Sequence, residues 1–392
     1  MNDIRPDKVT VVSRLYAPEV GAAAFRLKAL VEGLGAAGAQ VNVVTTKAPA
    51  GSRPFKPSYK ISRWPVLRDA GGNVRGYVQY LSFDIPMFLR ILLGPRPDVF
   101  VVEPPPTSGF VVKTVAWMRR VPFVYFSADV SSSAARGIGI SPAVVAVLTA
   151  VERSILAAAS AVLAVSDGVE NEIAELTGHK AHVVNVGTGV DTTAFSYEGP
   201  KKPAEGRYFV YAGTMSEIQG AGVFIDAFKE IATEYPDAQL MMFGQGVELE
   251  ELKMRAVSLP GQIHFFAPAQ GTEIAQWHRG ATANLASVRP GKGYDFAFAT
   301  KALAGLSAGA PTIYSGVGPL VELVQAHGLG FACEWDAASV ADAMRAMLDR
   351  PFDEARRRQL SQWVDQNYSL HAVGAAGAAA VLAAARGESS AR

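Results

Sequence analysis

Short runs of β-branched residues alternate with helical patterns from the start of the chain. Residues 9–12 form one such run, and apolar residues at helical spacing follow from 25 to 34. Residues 41–44 supply the next run, so strand, loop, helix and strand occupy about 35 residues, the size of a βαβ crossover. The amino-terminal segment therefore predicts two parallel strands joined by a helix.

The same alternation continues in two series. In the first, predicted strands lie at 99–102, 123–126 and 161–165, and predicted helices at 108–119, 143–159 and 167–176. In the second, predicted strands lie at 208–211, 239–243, 263–266, 283–286 and 312–314, and predicted helices at 223–234, 248–257, 272–280, 301–307 and 320–326. Apolar strands alternating with helices are typical of a parallel sheet covered on both faces. The pattern predicts the α/β class, with two Rossmann-like, doubly wound parallel-sheet domains.

The periodicity stops at residues 197–206, a stretch rich in Pro, Gly and Lys. We interpret it as a linker between a first domain, 1–196, and a second domain, 207–370. The Ala-rich tail, 371–392, has high helical propensity, and we expect a helix that packs back toward the first domain. Open parallel sheets bind ligands at the carboxyl ends of their strands, so we expect the two domains to face each other across a cleft.

Composition narrows the class of partner. Lys and Arg number 37 against 36 Asp and Glu, a net charge of +1, so no global field draws in nucleic acid. The single cysteine, Cys333, excludes an internal disulfide and predicts a buried structural thiol. The first residues lack the order of a signal peptide. The longest nearly uncharged apolar run, 140–151, is about 12 residues, whereas a spanning helix needs roughly 20. We therefore expect a cytoplasmic protein.

A glycine and alanine loop follows the first strand, at residues 15–24. Small residues such as Gly21 let a ligand approach the backbone, and free N–H groups at the next helix favour an oxygen-rich or anionic group. The loop lacks the GxGxxG spacing, and no acidic residue ends the second strand, so a dinucleotide site is not indicated. A tight turn that only packs helix against sheet is the alternative.

Carboxylates follow two further strands of the first domain. Glu103 comes directly after the strand at 99–102, and Asp129 follows the strand at 123–126. A carboxylate at a strand's carboxyl end could hold sugar hydroxyls or act as a base, and an ordinary loop or cap residue is the alternative. No histidine precedes His179, so the loops after these strands offer no imidazole.

Two glycine turns follow strands in the second domain. Gly213 and Thr214 lead through Gln219 into a helix, and Gly244 and Gln245 follow the next strand. Paired glycine turns at neighbouring strand ends suit a diphosphate and a nucleoside, whereas each alone is equally well an ordinary turn.

The loop at 289–300 carries the most informative pattern. Arg289 opens it, and Phe298, Ala299 and Thr300 precede Lys301. We expect Thr300 to cap a helix that begins near Lys301, so that free amides and an ammonium lie together. Such a combination binds a diphosphate and stabilises it as a leaving group. A solvated basic loop is the alternative.

In their order, these loops resemble family 4 of the retaining glycosyltransferases, which have the GT-B fold. The likeness spans nearly the whole chain through the motifs Tyr16-Ala17-Pro18-Glu19 with Gly21, Val165-Ser166-Asp167-Gly168, Val186-Gly187-Thr188-Gly189, Tyr211-Ala212-Gly213, Gly244-Gln245-Gly246, Gly309-Ala310-Pro311 and Pro319-Leu320-Val321-Glu322. It is most similar to the bacterial branch of colanic-acid, O-antigen and capsule transferases, including fucosamine transferases, whose phosphate turn also reads Gln-Gly before a helix.

The resemblance implies transfer of a hexose, or an amino or deoxy hexose, from a nucleotide diphosphate sugar. It implies retained anomeric configuration, a UDP-sugar as the expected donor, and no metal or other cofactor. Catalytic roles then fall to Asp129, Lys301 and Glu103. The implied donor-binding residues are Gly21, Gly213, Thr214, Gln219, Gly244, Gln245, Arg289, Phe298, Ala299, Thr300 and Glu322.

Several positions depart from the family pattern. Phe296 and Ala304 stand where many members carry a glutamate pair, so ribose recognition must differ. Thr214 and Gln219 replace the usual Arg and Lys of the phosphate turn, which leaves Lys301 as the chief candidate cation; Ala128 replaces the histidine that usually precedes Asp129. A nucleotide-sugar 2-epimerase of the same architecture and a non-catalytic nucleotide-sugar-binding homologue are the alternatives.

The expected acceptor is a glycan or a lipid-linked precursor of a bacterial surface polysaccharide. Residues 85–93 and 117–120 combine apolar bulk with Arg90, Arg119 and Arg120. A surface that touches anionic lipid at the inner face of the cytoplasmic membrane has this composition. A buried core with basic helix ends explains the same residues equally well.

Overall fold

The computed structural model describes residues 6–19, 21–49, 51–52, 55–69, 72, 74, 76–137, 141–203 and 206–388. Parts of three predicted segments lie outside the described residues: 1–5, 20, 50, 53–54, 70–71, 73, 75 and 138–140 of the first domain, 204–205 of the linker, and 389–392 of the terminal helix. The chain forms two compact units. Unit 1 combines the residues up to Gly187 with those from Leu370 onward, and unit 2 is Thr188–Ser369.

Unit 1, in its described residues, is a seven-stranded parallel sheet in the order β3-β2-β1-β4-β5-β6-β7. Its strands are β1 (Lys8–Val12), β2 (Gln40–Thr46), β3 (Lys60–Trp64), β4 (Val99–Val102), β5 (Phe123–Ser127), β6 (Ala161–Ala164) and β7 (Val183–Asn185). Its helices are α1 (Ala22–Ala36), α2 (Tyr77–Leu93), α3 (Pro106–Arg119), α4 (Ser131–Gly137), α5 (Pro142–Leu156), α6 (Asp167–Thr177) and α14 (Leu370–Arg386). Strands β4 and β6 are buried at every position, as strands covered on both faces must be.

Unit 2, in its described residues, is a six-stranded parallel sheet in the order β10-β9-β8-β11-β12-β13. Its strands are β8 (Arg207–Ala212), β9 (Ala238–Phe243), β10 (Ile263–Phe266), β11 (Ala283–Val288), β12 (Thr312–Gly316) and β13 (Gly330–Cys333). Its helices are α7 (Gly222–Ile231), α8 (Leu249–Arg255), α9 (Gly271–Gly280), α10 (Lys301–Ser307), α11 (Leu320–His327), α12 (Ala337–Asp349) and α13 (Glu354–Tyr368). The prediction of two doubly wound, parallel-sheet α/β domains is confirmed.

The strand register brings the predicted site loops to one edge of each sheet. In unit 1, Val12 pairs with Val102, so the loops that follow β1 and β4 leave the sheet side by side. In unit 2, Ala212 pairs with Phe243, which places the loops after β8 and β9 together. Parallel sheets present their ligand sites at this carboxyl edge. We call the two edges the unit 1 edge and the unit 2 edge.

Helix α14 packs against α1 within unit 1, at a contact formed by two glycines. A Cβ on Gly33 would lie 2.5 Å from the carbonyl oxygen of Gly374, and a Cβ on Gly374 would lie 2.3 Å from that of Ala29. Both distances are far below van der Waals contact, so the absence of side chains sets how closely the two helices approach.

Cys333 is buried at the end of β13, and burial raises the pKa of its thiol to about 11. Helix α2 is rich in apolar residues but has only 17 residues and includes Asp84 and Arg90. No helix among the described residues combines the length and the apolar character needed to cross a bilayer.

Candidate functional site

Two glycine turns touch each other at the unit 2 edge. Gly213 donates a backbone hydrogen bond to the carbonyl of Phe243 (2.9 Å), and Met215 donates one to Gln245 (2.9 Å). Gly244 has φ +150°, and a Cβ there would fall 1.9 Å from the carbonyl oxygen of Gly213. Only glycine fits a left-handed conformation this close to another backbone. The turns after β8 and β9 thus form one continuous glycine surface.

Lys301 lies over this glycine surface. Its Nζ donates a hydrogen bond to the hydroxyl of Tyr211 (2.9 Å) and lies 4.5 Å from the centre of the Tyr211 ring. The position that a Cβ on Gly213 would occupy is 3.2 Å from the same Nζ. No carboxylate of the described chain forms an ion pair with Lys301, and burial alone lowers its pKa to about 7. A cation therefore stands beside exposed backbone without a counter-ion.

The other predicted donor residues of the turns lie near these groups. Thr214 and Gln245 are exposed, whereas Gln219 is half-buried and accepts a hydrogen bond from the Ser216 hydroxyl. The backbone amide of Arg289 donates to the carbonyl of Ile218 (2.8 Å), which ties the loop at 289–300 to the turn after β8. Glu322 is exposed in the first turn of α11.

Thr300 does not have the capping role that the sequence predicts. Thr300 occupies the N-cap position of α10, but its backbone is helical (φ −55°, ψ −18°) and its side chain caps no amide. The expectation of a capping hydroxyl was therefore wrong, because the helical backbone turns the side chain away from the N2 and N3 amides. Phe298 and Ala299 pack against the core around Tyr314.

A buried carboxyl group marks the unit 1 edge. Glu103 is only 6% exposed, and its Oε1 is hydrogen-bonded to the hydroxyl of Ser13 at 2.5 Å. Desolvation raises the pKa of Glu103 to about 7, although the Ser13 hydrogen bond and the charges of Arg26 and Arg14 oppose the shift. At neutral pH a large part of this group therefore carries a proton.

Asp129 shares its surroundings with two arginines. It is half-buried after β5, and burial raises the pKa of its carboxyl while Arg26 and Arg14 lower it. Arg26 lies in α1, after the loop that contains Gly21. Burial lowers the pKa of its guanidinium, and the charges of Glu103 and Asp129 oppose that shift. The structure thus brings together Glu103, Asp129 and the start of α1, as the loop order predicts.

Sequence reasoning missed Ser13, Arg14, Arg26 and Tyr211. Arg26 could have been found, because a cation in the first turns of the helix after Gly21 is well placed to face carboxylates at the same edge. The Tyr211 hydroxyl gave no such signal, since aromatic residues are common in buried strands. No group of three or more His, Cys, Asp or Glu side chains that could hold a metal is found among the residues described.

Two family models match the chain. The model for a glycosyl transferase 4-like domain covers residues 21–189, and the model for glycosyl transferases group 1 covers residues 206–350. Between them they include Glu103, Asp129, Gly213, Gly244 and Lys301. The chain belongs to the glycosyltransferases.

This glycosyltransferase is similar to known sugar-transferring proteins in sequence and in fold. The glycogen synthase of Mycobacterium tuberculosis is 27% identical over 245 residues, which are 61% of this chain. The matched region spans only 58% of that relative's length. Sucrose-phosphate synthase from Thermosynechococcus elongatus has a TM-score of 0.72 at 18% identity, with 94% of this chain and 96% of that chain covered.

Anabaena HepE, solved in complex with UDP, has a TM-score of 0.68 at 13% identity, with 94% of this chain and 97% of that chain covered. At these identities the structural likeness shows the fold, which is GT-B. The chain's own residues place one chemical group in each unit. They are a cation above a glycine surface in unit 2 and a proton-bearing carboxyl group in unit 1.

Proposed function

We propose that this glycosyltransferase moves a hexose, or an amino or deoxy hexose, from a UDP-sugar to a hydroxyl of an acceptor, with retained anomeric configuration. The observation that carries the proposal is the position of Lys301, whose ammonium lies against Gly213 without a carboxylate partner. Lys301 is half-buried, and a charge partly removed from water is stabilised by a partner, so a diphosphate supplies the missing negative charge.

The glycine surface suits the same ligand. The turns containing Gly213 and Gly244 present backbone without side chains, which allows phosphate oxygens to approach closely. During transfer the bond between the sugar and the diphosphate breaks, and negative charge grows on the departing oxygen. Lys301 is placed to stabilise that charge, which is the interaction that accelerates the reaction most directly. HepE, of the same fold, was solved with UDP.

Retention and the choice of a UDP-sugar rest on the resemblance to family 4. The protonation of Glu103 bears on how the acceptor hydroxyl is bound. Because Glu103 holds its proton near neutral pH, we assign to Asp129 the hydrogen bond from the acceptor hydroxyl. Burial raises the pKa of Asp129, and the charges of Arg26 and Arg14 oppose that rise.

The test of this function is the Lys301→Ala variant. Turnover, measured as UDP release from a UDP-sugar with acceptor present, should fall by roughly 100-fold or more, since removal of one leaving-group partner has effects of that size. Lys292→Ala is the matched control, because Lys292 lies in the preceding loop and pairs with Glu217 at 3.4 Å. The proposal is wrong if Lys301→Ala keeps the wild-type rate or if no nucleoside diphosphate raises the Tm of the wild type.

We further propose that the acceptor is lipid-linked and that the enzyme meets it at a membrane surface. Helices α2, α3 and α5 are neighbours in unit 1 and share an exposed apolar surface. The surface, which we call the apolar face, consists of Val78, Leu81, Ile85, Leu89 and Leu93 on α2, Phe110, Trp117 and Met118 on α3, and Val144 and Val147 on α5. Many exposed apolar side chains on neighbouring helices favour an interaction site there.

The charges of these helices favour an anionic bilayer as the partner. The acidic residues of α2 and α5, Asp84 and Glu152, are 3% and 1% exposed, and α3 has none. The exposed charges are instead cations. Phe110, Trp117 and Met118 line a groove of about 1010 Å³ together with Lys113 and Arg120. Apolar side chains flanked by cations are typical of proteins that rest on anionic lipid.

Vesicle co-sedimentation tests the membrane proposal. The full chain should bind vesicles of equal parts phosphatidylglycerol and phosphatidylcholine more tightly than phosphatidylcholine alone, and added salt should weaken binding. Trp117→Gln and the Lys113→Gln, Arg120→Gln pair should each reduce binding. Met254→Gln removes a comparably exposed apolar side chain (76%) from unit 2 and should not. Equal binding by all variants would contradict the proposal.

A further inference from the structure

The hydroxyl of Tyr211 bridges two groups of the unit 2 edge. It donates a hydrogen bond to the carbonyl oxygen of Thr214 (2.7 Å) and accepts one from Nζ of Lys301 (2.9 Å). A phenol has one proton, and because that proton goes to Thr214, only an oxygen lone pair faces Lys301. The direction of both bonds is therefore fixed by the backbone of the phosphate turn.

The backbone of Lys301 is held from the opposite side. The side-chain amide of Asn284, in β11, lies 3.4 Å from the carbonyl of Lys301 and 3.3 Å from that of Ala302. A Cβ on Gly305 would come within 2.3 Å of the Asn284 side chain, so the glycine makes room for this contact. Lys301 is thus fixed both at its backbone and at its ammonium.

The groups around Lys301 determine whether its side chain carries a proton. Tyr211 is the titratable side chain in contact with its Nζ, and Glu248 acts on Tyr211 from the loop after β9. Burial raises the pKa of Tyr211, so the phenol stays neutral. Burial lowers the pKa of Lys301 to about 7, so ammonium and amine are both present near neutral pH.

We propose that Tyr211 is a positioning residue of the donor site, whose hydroxyl holds the Lys301 ammonium over Gly213 where the diphosphate of the donor lies. The inference rests on the proposed function and assigns a role to a residue of the strand itself. Because only the ammonium binds a diphosphate, nucleotide affinity should decrease as pH rises above neutrality, by about tenfold per pH unit at most. Loss of the phenolic oxygen removes a partner of the ammonium and should move this decrease to lower pH.

The Tyr211→Phe variant tests the role while it keeps the ring that packs against Phe224. Tyr208→Phe is the matched control, because Tyr208 lies on the same strand, is 3% exposed, and donates its hydroxyl to the carbonyl of Trp277 at 2.9 Å. The probe is whichever of UDP, GDP and ADP raises the wild-type Tm most. Its Kd is measured by calorimetry across neutral and alkaline pH. Titration of the nucleotide itself is common to all variants and cancels.

Tyr211→Phe should weaken nucleotide binding about tenfold at neutral pH, the effect of losing a hydrogen bond to a charged group, and should shift the pH profile of Kd downward. Tyr208→Phe should match the wild type in both. In turnover assays, Tyr211→Phe should mainly raise KM for the donor. If Tyr211→Phe folds poorly, Tyr211→Met removes the same hydroxyl and should shift the profile likewise.

Three results would overturn the inference in distinguishable ways. If Tyr211→Phe keeps the wild-type Kd and pH profile while Lys301→Ala is impaired, Tyr211 has no positioning role and the proposed function stands. An equal change in Tyr208→Phe shows that the effect comes from packing. Normal nucleotide binding by Lys301→Ala removes the donor site itself.

Discussion

The hydroxyl oxygen of Ser13 lies 2.5 Å from Oε1 of Glu103, and it also lies 2.7 Å from the carbonyl oxygen of Leu15 and 3.0 Å from the Leu15 amide. A hydroxyl has one proton and two lone pairs. The amide donates to one lone pair, and the single proton can satisfy only one of the two oxygens. The Ser13 hydroxyl donates to Oε1 of Glu103, and this bond favours the ionised carboxyl, so it opposes the rise that burial causes in the Glu103 pKa.

The proton on Glu103 makes stability depend on pH. Its pKa is about 7 in the folded chain and 4.5 in the reference state, so the folded state binds the extra proton between these values. Stability from this group is present below the lower pKa and is lost as pH rises through 7, by about 3 kcal/mol in all. Glu103→Gln, which resembles the protonated form, should remove this loss. Urea unfolding at about pH 5 and pH 8 measures it, and equal pH dependence in the two proteins would contradict the assignment.

Lys301 should give the opposite dependence in a higher pH window. Its pKa falls from 10.5 to about 7 on folding, so the unfolded chain binds more protons between these values. Stability should therefore increase as pH rises from 7 toward 10.5. Lys301→Met should flatten this increase in urea unfolding, whereas Lys292→Met, which alters an exposed ion pair, should keep it. An unchanged slope in Lys301→Met would show that the lysine is solvated.

Gly244→Ala should damage the unit 2 edge. The added Cβ would meet the Gly213 carbonyl oxygen at 1.9 Å in a backbone with φ +150°. Strain and overlap together should cost about 2–4 kcal/mol and separate the two turns. Thermal unfolding and the Kd of UDP measure both effects. Gly261→Ala is the control, because a Cβ there meets nothing within 4 Å and should change neither quantity.

Two glycines of α1 should respond oppositely to alanine. Gly33→Ala places a Cβ 2.5 Å from the Gly374 carbonyl oxygen and should destabilise the α1–α14 contact by about 1–3 kcal/mol. Gly35→Ala meets nothing within 4 Å and should stabilise the same helix by roughly 0.5–1 kcal/mol, since alanine favours helix. Thermal unfolding distinguishes them; a stabilising Gly33→Ala would mean that α14 leaves α1 easily.

The fold class was predictable because strands such as β4 and β6 are continuous apolar runs and helical patterns lie between the strands. Helix α2 was not predicted, because Pro86 interrupts it and its apolar residues also suit a buried segment. Helix α13 was not predicted either. Only Arg357, Leu360 and Val364 of its 15 residues are buried, which leaves too narrow an apolar stripe.

The location of the site was more predictable than its chemistry. Loop order placed Glu103 and Asp129 after adjacent strands, and parallel register brings such loops together. The proton on Glu103 and the low pKa of Lys301 depend on burial by residues distant in sequence, which no local pattern encodes. The same holds for the failure of Thr300 to cap α10.

Unit 1 is assembled from two stretches of chain, because α14 belongs with the residues up to Gly187 while unit 2 is continuous. During synthesis, every strand of both sheets leaves the ribosome before α14 does. The groove on α1 that accepts Gly374 must therefore stay bare until α14 has been made. A nascent chain would expose Leu30 and its neighbours for that interval, so unit 1, whose strands are made first, is completed only after unit 2.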